Sequence, residues 1–356
     1  MTRENVESGN ADPGDENRGR RFFQLFVGVA VFACAVIYAF IVLVDPFDTL
    51  PLSLPFDRGP VDSNARYAFP ALARNQSFDS ALFGTSTSRL LRPVALDAAL
   101  GGRFVNLAMN SATAYEQTRL MQVFLLAHPH PRMVAIGLDS EWCASAGGIH
   151  TFGFDRPIPE WLYTGGRWAG YRALFNLYAL ERAGQAFAEW TGLKPRRYGR
   201  DGYTGFVPDD RDYDPVRVAA SIATAQPWTP PEKLGPDPAA WSMPGMDLLR
   251  ADLVAIPSGT AKLLFFMPYH RSLLPFAPGP ARDLLDECKR RVTALAIATP
   301  RTLAVDFMRP TPITLDADNY WDPHHYRAAI AGRIVGDLAM ATAGATSQDY
   351  VIPPRP

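Results

Sequence analysis

The run from Phe22 to Val44 constrains this chain more than any other stretch. Its 23 residues are almost wholly apolar, with Gln24 the main interruption. At about 1.5 Å per residue they are enough to cross a hydrocarbon core of about 30 Å, so one transmembrane helix is expected at 22–44. A cleaved signal peptide is the alternative, but its apolar core is about 7 to 15 residues and ends in small residues, unlike Leu43-Val44-Asp45-Pro46. Arg18, Arg20 and Arg21 precede the run, and Asp45 and Asp48 come after it. Because positive charge stays cytoplasmic, the reading is a single-pass protein of the inner membrane. Its N-terminus is cytoplasmic and everything after Asp45 lies outside, in the periplasm if the cell is bacterial. Residues 1–21 are polar without apolar periodicity and read as a disordered cytoplasmic leader. Residues 45–78, rich in proline and aspartate, read as a tether on which Arg66, Tyr67 and Phe69 can pack against the domain.

Beyond the tether the chain is long enough for one large α/β domain with insertions, or for two small ones. The 35 Lys and Arg nearly balance the 36 Asp and Glu, and no basic stripe interleaved with aromatics appears, which argues against a nucleic-acid partner. Of three cysteines, Cys34 lies in the apolar run. Cys143 and Cys288 can pair in an oxidising compartment, though their spacing does not demand it. His128 and His130 flank Pro129 with no further ligand spaced to complete a metal site. They read as exposed loop histidines, and no metal or cofactor is expected.

Five short apolar runs alternate with helical periodicity. Asp79 to Phe83, Arg103 to Leu107, Arg132 to Leu138, Ala261 to Met267 and Thr302 to Phe307 read as strands. Helices are expected at 94–100, 113–127, 246–256, 279–298 and from Tyr326 onward, where Ile330, Ile334, Val335 and Leu338 share a face. The fold class is therefore α/β: a doubly wound, five-stranded parallel sheet between helices, running from about 79 to 345 with a short tail at 346–356. From 150 to 250 the pattern loosens into helical runs at 168–190 and 215–225 joined by aromatic and proline-rich pieces. This reads as an inserted lid or substrate surface, with Tyr203, Phe206 and Tyr213 among aspartates as candidates to meet a sugar.

The first strand ends abruptly at Gly84-Thr85-Ser86-Thr87-Ser88-Arg89. Ligands in open α/β sheets bind at the carboxyl ends of strands, so Ser86 is the candidate nucleophile. The competing reading is that Thr85, Ser86 and Thr87 cap the next helix. A serine hydroxyl needs a base, and an imidazole serves best when a carboxylate holds its other nitrogen. Asp322-Pro323-His324-His325 supplies that pair just before the terminal helix; otherwise these histidines are ordinary surface-loop residues. Two further loops come directly after strands. Ala108-Met109-Asn110-Ser111 can aim donors at a developing oxyanion or cap the next helix, and Asp139 stands just past Leu138.

These blocks together resemble the SGNH (GDSL-like) hydrolase superfamily, and within it the membrane-anchored bacterial branch that includes alginate O-acetyltransferase and D-alanyl-lipoteichoic acid biosynthesis proteins. Gly84-Thr85-Ser86 is similar to the family's first block, and Asp322-Pro323-His324-His325 to its last. The resemblance implies Ser86 as nucleophile, His325 as base and Asp322 as its orienting acid, in a three-layer sandwich. It covers 79–338, with 150–250 outside it. The second block lacks the family's glycine, leaving Ala108, Met109 and Asn110, and the third reads Gly137-Leu138-Asp139 in place of Gly-x-Asn. Ser86, Asn110 and Asp139 are thus the candidate oxyanion residues. An ionised Asp139 would repel the oxyanion, so it is turned away, or protonated, or the hole is made without it. What the resemblance implies is O-acyl transfer, acetyl above all, to or from a carbohydrate or envelope polymer, with acyl groups received from a membrane-embedded partner protein. A degenerate binding component of an envelope polysaccharide system and a membrane-surface lipase or thioesterase are the rival readings.

Overall fold

The structure is a computed structural model that describes residues 13–55, 58–61, 64–144, 158–166, 168–229 and 234–354, with side chains from residue 17 onward. In chain order the helices and strands are α1 (Pro13–Val44), α2 (Ala65–Ala73), β1 (Ser80–Phe83), α3 (Ser86–Arg89), α4 (Pro93–Leu100), β2 (Phe104–Asn106) and α5 (Ala114–Ala127). They continue with β3 (Met133–Leu138), α6 (Glu160–Tyr163), α7 (Ala169–Ala173), α8 (Leu177–Trp190), α9 (Pro215–Ala223) and α10 (Pro244–Ala255). The chain closes with β4 (Ala261–Phe266), α11 (Pro280–Ala298), β5 (Thr302–Asp306), α12 (Pro312–Leu315) and α13 (Ala328–Thr342). Two compact units result, Met1–Asp57 with Arg167–Lys194, and Arg58–Gly166 with Pro195–Pro356.

The smaller unit is built on α1. From Asn17 to Val44 this helix is long and apolar enough to cross a membrane. It begins at Pro13, so part of the expected disordered leader is helical; residues 1–12 lie outside the described residues. The buried Asp45 carboxylate ends it by accepting the amide N–H groups of Thr49 (2.8 Å) and Leu50 (2.7 Å). The helical run expected at 168–190 is broken in two. Asn176 is extended and its side chain accepts from the Ala179 amide, so it starts α8 afresh. Both pieces pack with α1.

The larger unit holds an all-parallel sheet in the order β2-β1-β3-β4-β5, the flavodoxin-like doubly wound order. Parallel strands need crossover helices, and right-handed crossovers distribute them over both faces. Leu82, Ala135, Leu263, Phe265 and Val305 point to one face, under Leu96 of α4 and Ile330, Ile334 and Leu338 of α13. Phe83, next along β1, points the other way and meets Phe124 of α5 at 6.0 Å. There α5 packs on α2 and α10, and α10 on α11. Phe83, Phe104, Phe124, Phe265 and Phe307 are fully buried, each contributing about 2 kcal/mol of transfer free energy.

Two expectations change. Within the proposed tether, α2 is a helix capped by Asn64, with Arg66 and Phe69 fully buried, because its apolar stripe is covered by α5. His128 is buried rather than exposed: it stacks on Phe124 at 4.2 Å, and its ring nitrogens bond the Phe124 and Asn75 carbonyls. His130 is exposed. Cys143 and Cys288 form a disulfide with Cα atoms 5.5 Å apart, joining the loop after β3 to α11.

Candidate functional site

Register explains how β1 delivers Ser86. Phe83 pairs with Ile136, so β3 runs two residues further, to Leu138, and Gly84 lies beside Gly137. A Cβ added to Gly84 would stand 2.1 Å from Ser88 Oγ, and one on Gly137 would stand 2.0 Å from the same atom. The two glycines therefore make the space into which the one-turn helix α3 folds back, and Gly84 adds a φ of 152° that disfavours any side chain. Thr85 is extended and its hydroxyl makes no capping bond to α3. Capping thus does not account for the hydroxyl run, and Ser86 is left half-buried at the carboxyl edge of the sheet.

The partner loop is closed by an antiparallel bridge between Tyr320 and Tyr326 and by the Trp321 amide donating to the His325 carbonyl at 2.8 Å. Asp322 Oδ1 accepts the amide N–H groups of His324 (2.8 Å) and His325 (3.0 Å), which leaves Oδ2 for His325 Nδ1 at 2.7 Å. On its other edge His325 Nε2 stands 2.8 Å from Ser86 Oγ. The carboxylate fixes the proton on Nδ1, so Nε2 accepts from the serine hydroxyl. Burial pushes the Asp322 carboxyl up, but the imidazole bond and the two amides outweigh it and hold it below the usual carboxylate range. Asp322 therefore stays ionised at neutral pH. His324 stands edge-on to Tyr269 at 5.5 Å, with Nδ1 3.9 Å from Asp322 Oδ1.

The structure thus brings together Ser86, Asp322 and His325. Asn110 sits on the loop after β2, where Arg89 Nη1 donates to its Oδ1 at 2.8 Å. A guanidinium only donates, so this bond orients the amide and leaves Nδ2 as a donor. Of the other second-block candidates, the Ala108 amide is taken by Asn106 Oδ1 (3.0 Å) and that of Met109 by the Gly84 carbonyl (3.0 Å). The loop does not cap α5: Thr113 does, in a capping box with Glu116, and Ser111 adopts φ 50°. Asp139 is fully buried and its Oδ1 accepts from the Glu141 amide. Burial pushes its carboxyl up to about 7, opposed first by the Thr85 hydroxyl and reinforced by the nearby Glu141 charge, and Oδ2 has no hydrogen-bond partner among the described residues. Near neutral pH it is protonated much of the time, and its enclosure keeps it from presenting charge at the solvent-facing side.

Several residues at the site carry no motif. Phe206, from the aromatic stretch after residue 195, stands edge-on to the His325 ring at 5.4 Å, and Arg89 lies over Phe206 at 5.4 Å. Tyr326 donates its buried hydroxyl to the Thr87 carbonyl at 2.5 Å, across 239 residues of sequence. The His325 loop is thereby tied to the Ser86 turn, and only its position next to His325 marks Tyr326 in the sequence. Replacing Tyr326 with Phe is expected to lower stability by about 0.5 to 1.5 kcal/mol, since the Thr87 carbonyl keeps only the bond from the Leu90 amide at 3.3 Å. Urea titration checks this, and an unchanged midpoint would show that the hydroxyl is not holding the two segments.

A cavity of about 570 Å³ adjoins the relay, reaching Asp322, His324 and His325. Leu274, Leu285, Met308 and Trp228 make much of its wall, with Ser140 and Gln226 among its polar lining. Its size is that of small-molecule sites. No protein-family model matches this chain, and a search of the curated proteins finds no match.

Proposed function

We propose that this protein is a membrane-anchored serine acyltransferase or esterase of the SGNH type. The observation that carries the reading is the continuous pair of short contacts from Asp322 through His325 to Ser86. In the proposed reaction His325 Nε2 takes the hydroxyl proton as Ser86 Oγ bonds to the acyl carbon, then passes it to the departing oxygen. The acyl group is left as an ester on Ser86. A sugar hydroxyl or water next gives its proton to His325 as it attacks that ester, and His325 returns the proton to Ser86 Oγ as the acyl group leaves on the acceptor. The amide N–H of Ser86 and the Nδ2 of Asn110 are the proposed oxyanion donors, and Asp139, its carboxyl raised by burial to about 7, is close to half protonated at neutral pH.

The Cys143–Cys288 disulfide favours an oxidising compartment, which with the arginines before α1 supports a periplasmic domain and a cytoplasmic N-terminus. An acetyl group as cargo, an envelope polysaccharide as acceptor and a membrane-embedded acyl donor rest on the family resemblance. The apolar cavity beside His325 favours a second reading, an enzyme for more hydrophobic esters at the membrane surface. Strict preference for acetyl over octanoyl esters would remove that reading.

Incubation of the folded protein with a fluorophosphonate is expected to give one adduct, on Ser86, and none in the His325→Ala variant. A serine is phosphonylated rapidly only when a base accepts its proton. Absence of the adduct from the folded wild-type chain would reject the enzyme reading and favour a binding component of an envelope polysaccharide system.

A further inference from the structure

Helix α8 is apolar over far more of its circumference than α1 covers. At 100° per residue, Glu181, Arg182, Gln185 and Glu189 fall on one arc. They bond one another there: Arg182 to Gln185 at 3.1 Å, and Gln185 to Glu189 at 3.0 Å. The remaining arc is apolar and divides in two. Ala179, Ala183 and Ala186 are buried in a small-residue seam, on the arc between Tyr178 and Phe187, which meet Phe47 and Phe40. Beside them lies a second stripe of Leu177, Leu180, Gly184, Phe187 and Ala188, of which Leu177 is 83% and Phe187 39% exposed. Trp168, Phe175 and Trp190 are exposed in the same unit. Exposed apolar surface of this extent marks a place where something binds.

The contacts with α1 fix the level at which this surface lies. Phe187 meets Phe40 at 5.9 Å, Phe175 meets Tyr38 at 5.4 Å, and Tyr178 stacks on Phe47 at 6.4 Å. The Tyr38 hydroxyl donates to the Tyr171 carbonyl at 2.8 Å, and the Tyr171 hydroxyl accepts from the Leu52 amide at 3.2 Å. Both α7 and α8 are thus held beside the last two turns of α1 and its exit. A hydrocarbon core beginning at Phe22 takes about 20 residues of helix and ends near Ile41. That is the band in which Trp and Tyr concentrate in membrane proteins.

We propose that the α7–α8 segment is an interfacial membrane-binding element, its second apolar stripe and flanking tryptophans entering the boundary between headgroups and acyl chains where α1 leaves the bilayer. Its exposed apolar surface continues the exposed apolar surface of α1 itself, so one solvent satisfies both. The polar arc of Glu181, Arg182, Gln185 and Glu189 then lies away from the acyl chains, with Glu181 66% and Arg182 13% exposed. The inference requires α1 to span a bilayer and is independent of the chemistry proposed for Ser86.

The test uses the full chain reconstituted into phosphatidylcholine and phosphatidylglycerol nanodiscs. In a Cys34→Ser background, with Cys143 and Cys288 kept oxidised, an environment-sensitive fluorophore is attached to Leu177→Cys, Phe187→Cys or, as the polar-arc control, Gln185→Cys. Lipids carrying a nitroxide high on the acyl chain are expected to quench the labels at 177 and 187 at least threefold more than the label at 185. Equal quenching at all three positions overturns the proposal. So does shielding of 177 and 187 from aqueous iodide without lipid quenching, which is the signature of a partner protein or a second copy. Because labelled variants can misfold, the unlabelled chain supplies a second measurement. Nitroxide-lipid quenching of its tryptophan emission should fall by at least half in the Trp168→Phe, Trp190→Phe double variant, and an unchanged fraction likewise overturns the proposal.

Discussion

Replacing Ser86 with Ala is expected to lower ester turnover by about 10⁴- to 10⁶-fold, with the fold and the thermal midpoint nearly unchanged. Ser86 is half-buried and its hydroxyl bonds only His325 among the described residues, so its loss leaves no buried group unpaired. His325→Ala should cost about as much as Ser86→Ala, and the double variant little more than either, because in the proposed reaction nucleophile and base act as one unit. Asp322→Asn should retain the backbone turn, since an amide oxygen can still accept from His324 and His325. It should nevertheless lose about 10⁴-fold, because Nδ1 no longer faces a carboxylate and the imidazole is free to take the unproductive tautomer. Steady-state hydrolysis of a chromogenic acetyl ester, with circular dichroism on each variant, reads these outcomes. Full turnover in the Ser86→Ala protein would place the nucleophile elsewhere, and additive losses in the double variant would show that Ser86 and His325 act separately.

The second large effect lies beneath the site. Arg66 on α2 and Glu116 on α5 are both essentially solvent-free and pair through Nε–Oε1 and Nη2–Oε2, the latter at 2.5 Å. Arg66 also reaches the carbonyls of Asn110 and Ser111, each at 3.4 Å, while Glu116 Oε2 accepts from the Thr113 amide at 3.0 Å. The pair therefore braces the loop that carries Asn110. Arg66→Ala is expected to destabilise the protein by about 3 to 5 kcal/mol, because it leaves a buried carboxylate without its counter-charge. Replacing both residues, as Arg66→Met with Glu116→Leu, should recover much of that stability, since no buried charge is left unpaired. The double variant should still turn over slowly, because the Asn110 and Ser111 carbonyls have lost their donor. Denaturant midpoints and kcat on the three variants check both parts. A stability for Arg66→Ala within about 0.5 kcal/mol of wild type, the range usual for changes away from buried features, would show that the pair is not held in the interior as described.

Much of the sheet was legible because a strand advertises itself locally. Each of the five apolar runs is short, rich in β-branched or aromatic residues and ended by glycine, proline or polar groups, and each became a strand within two residues of the expected bounds. The Asp322–His325 relationship was equally local, since a turn of four residues brings the two side chains together whatever the rest of the chain does. The helical run at 168–190 misled because its apolar residues keep helical spacing straight through Asn176, and periodicity is silent about where a capping side chain stops one helix and starts another. His128 misled for a related reason: flanked by proline it looks like loop, and its burial depends on the aromatic face of Phe124 and on a carbonyl at Asn75, 53 residues away. Arg66 and Glu116 carry no sequence signal, because each is an ordinary charged residue until two helices close over them.

By itself, then, the sequence determined what is set by short-range sterics and by the period of apolar residues. That covers a helix able to cross a membrane, an alternation of strands and helices, a glycine turn carrying Ser86, and an imidazole with its own carboxylate. Only the tertiary structure decided that Ser86 and His325, 239 residues apart, lie within one hydrogen bond of each other. It also decided that Cys143 joins Cys288, that Arg89 turns Asn110, and that Arg167–Lys194 belongs with α1 while Phe206 belongs beside His325. The reason is physical. Conformation within a few residues is dictated by the chain's own sterics, whereas contacts between distant segments depend on strand order and on which apolar faces are left to be covered, and those are properties of the whole assembly.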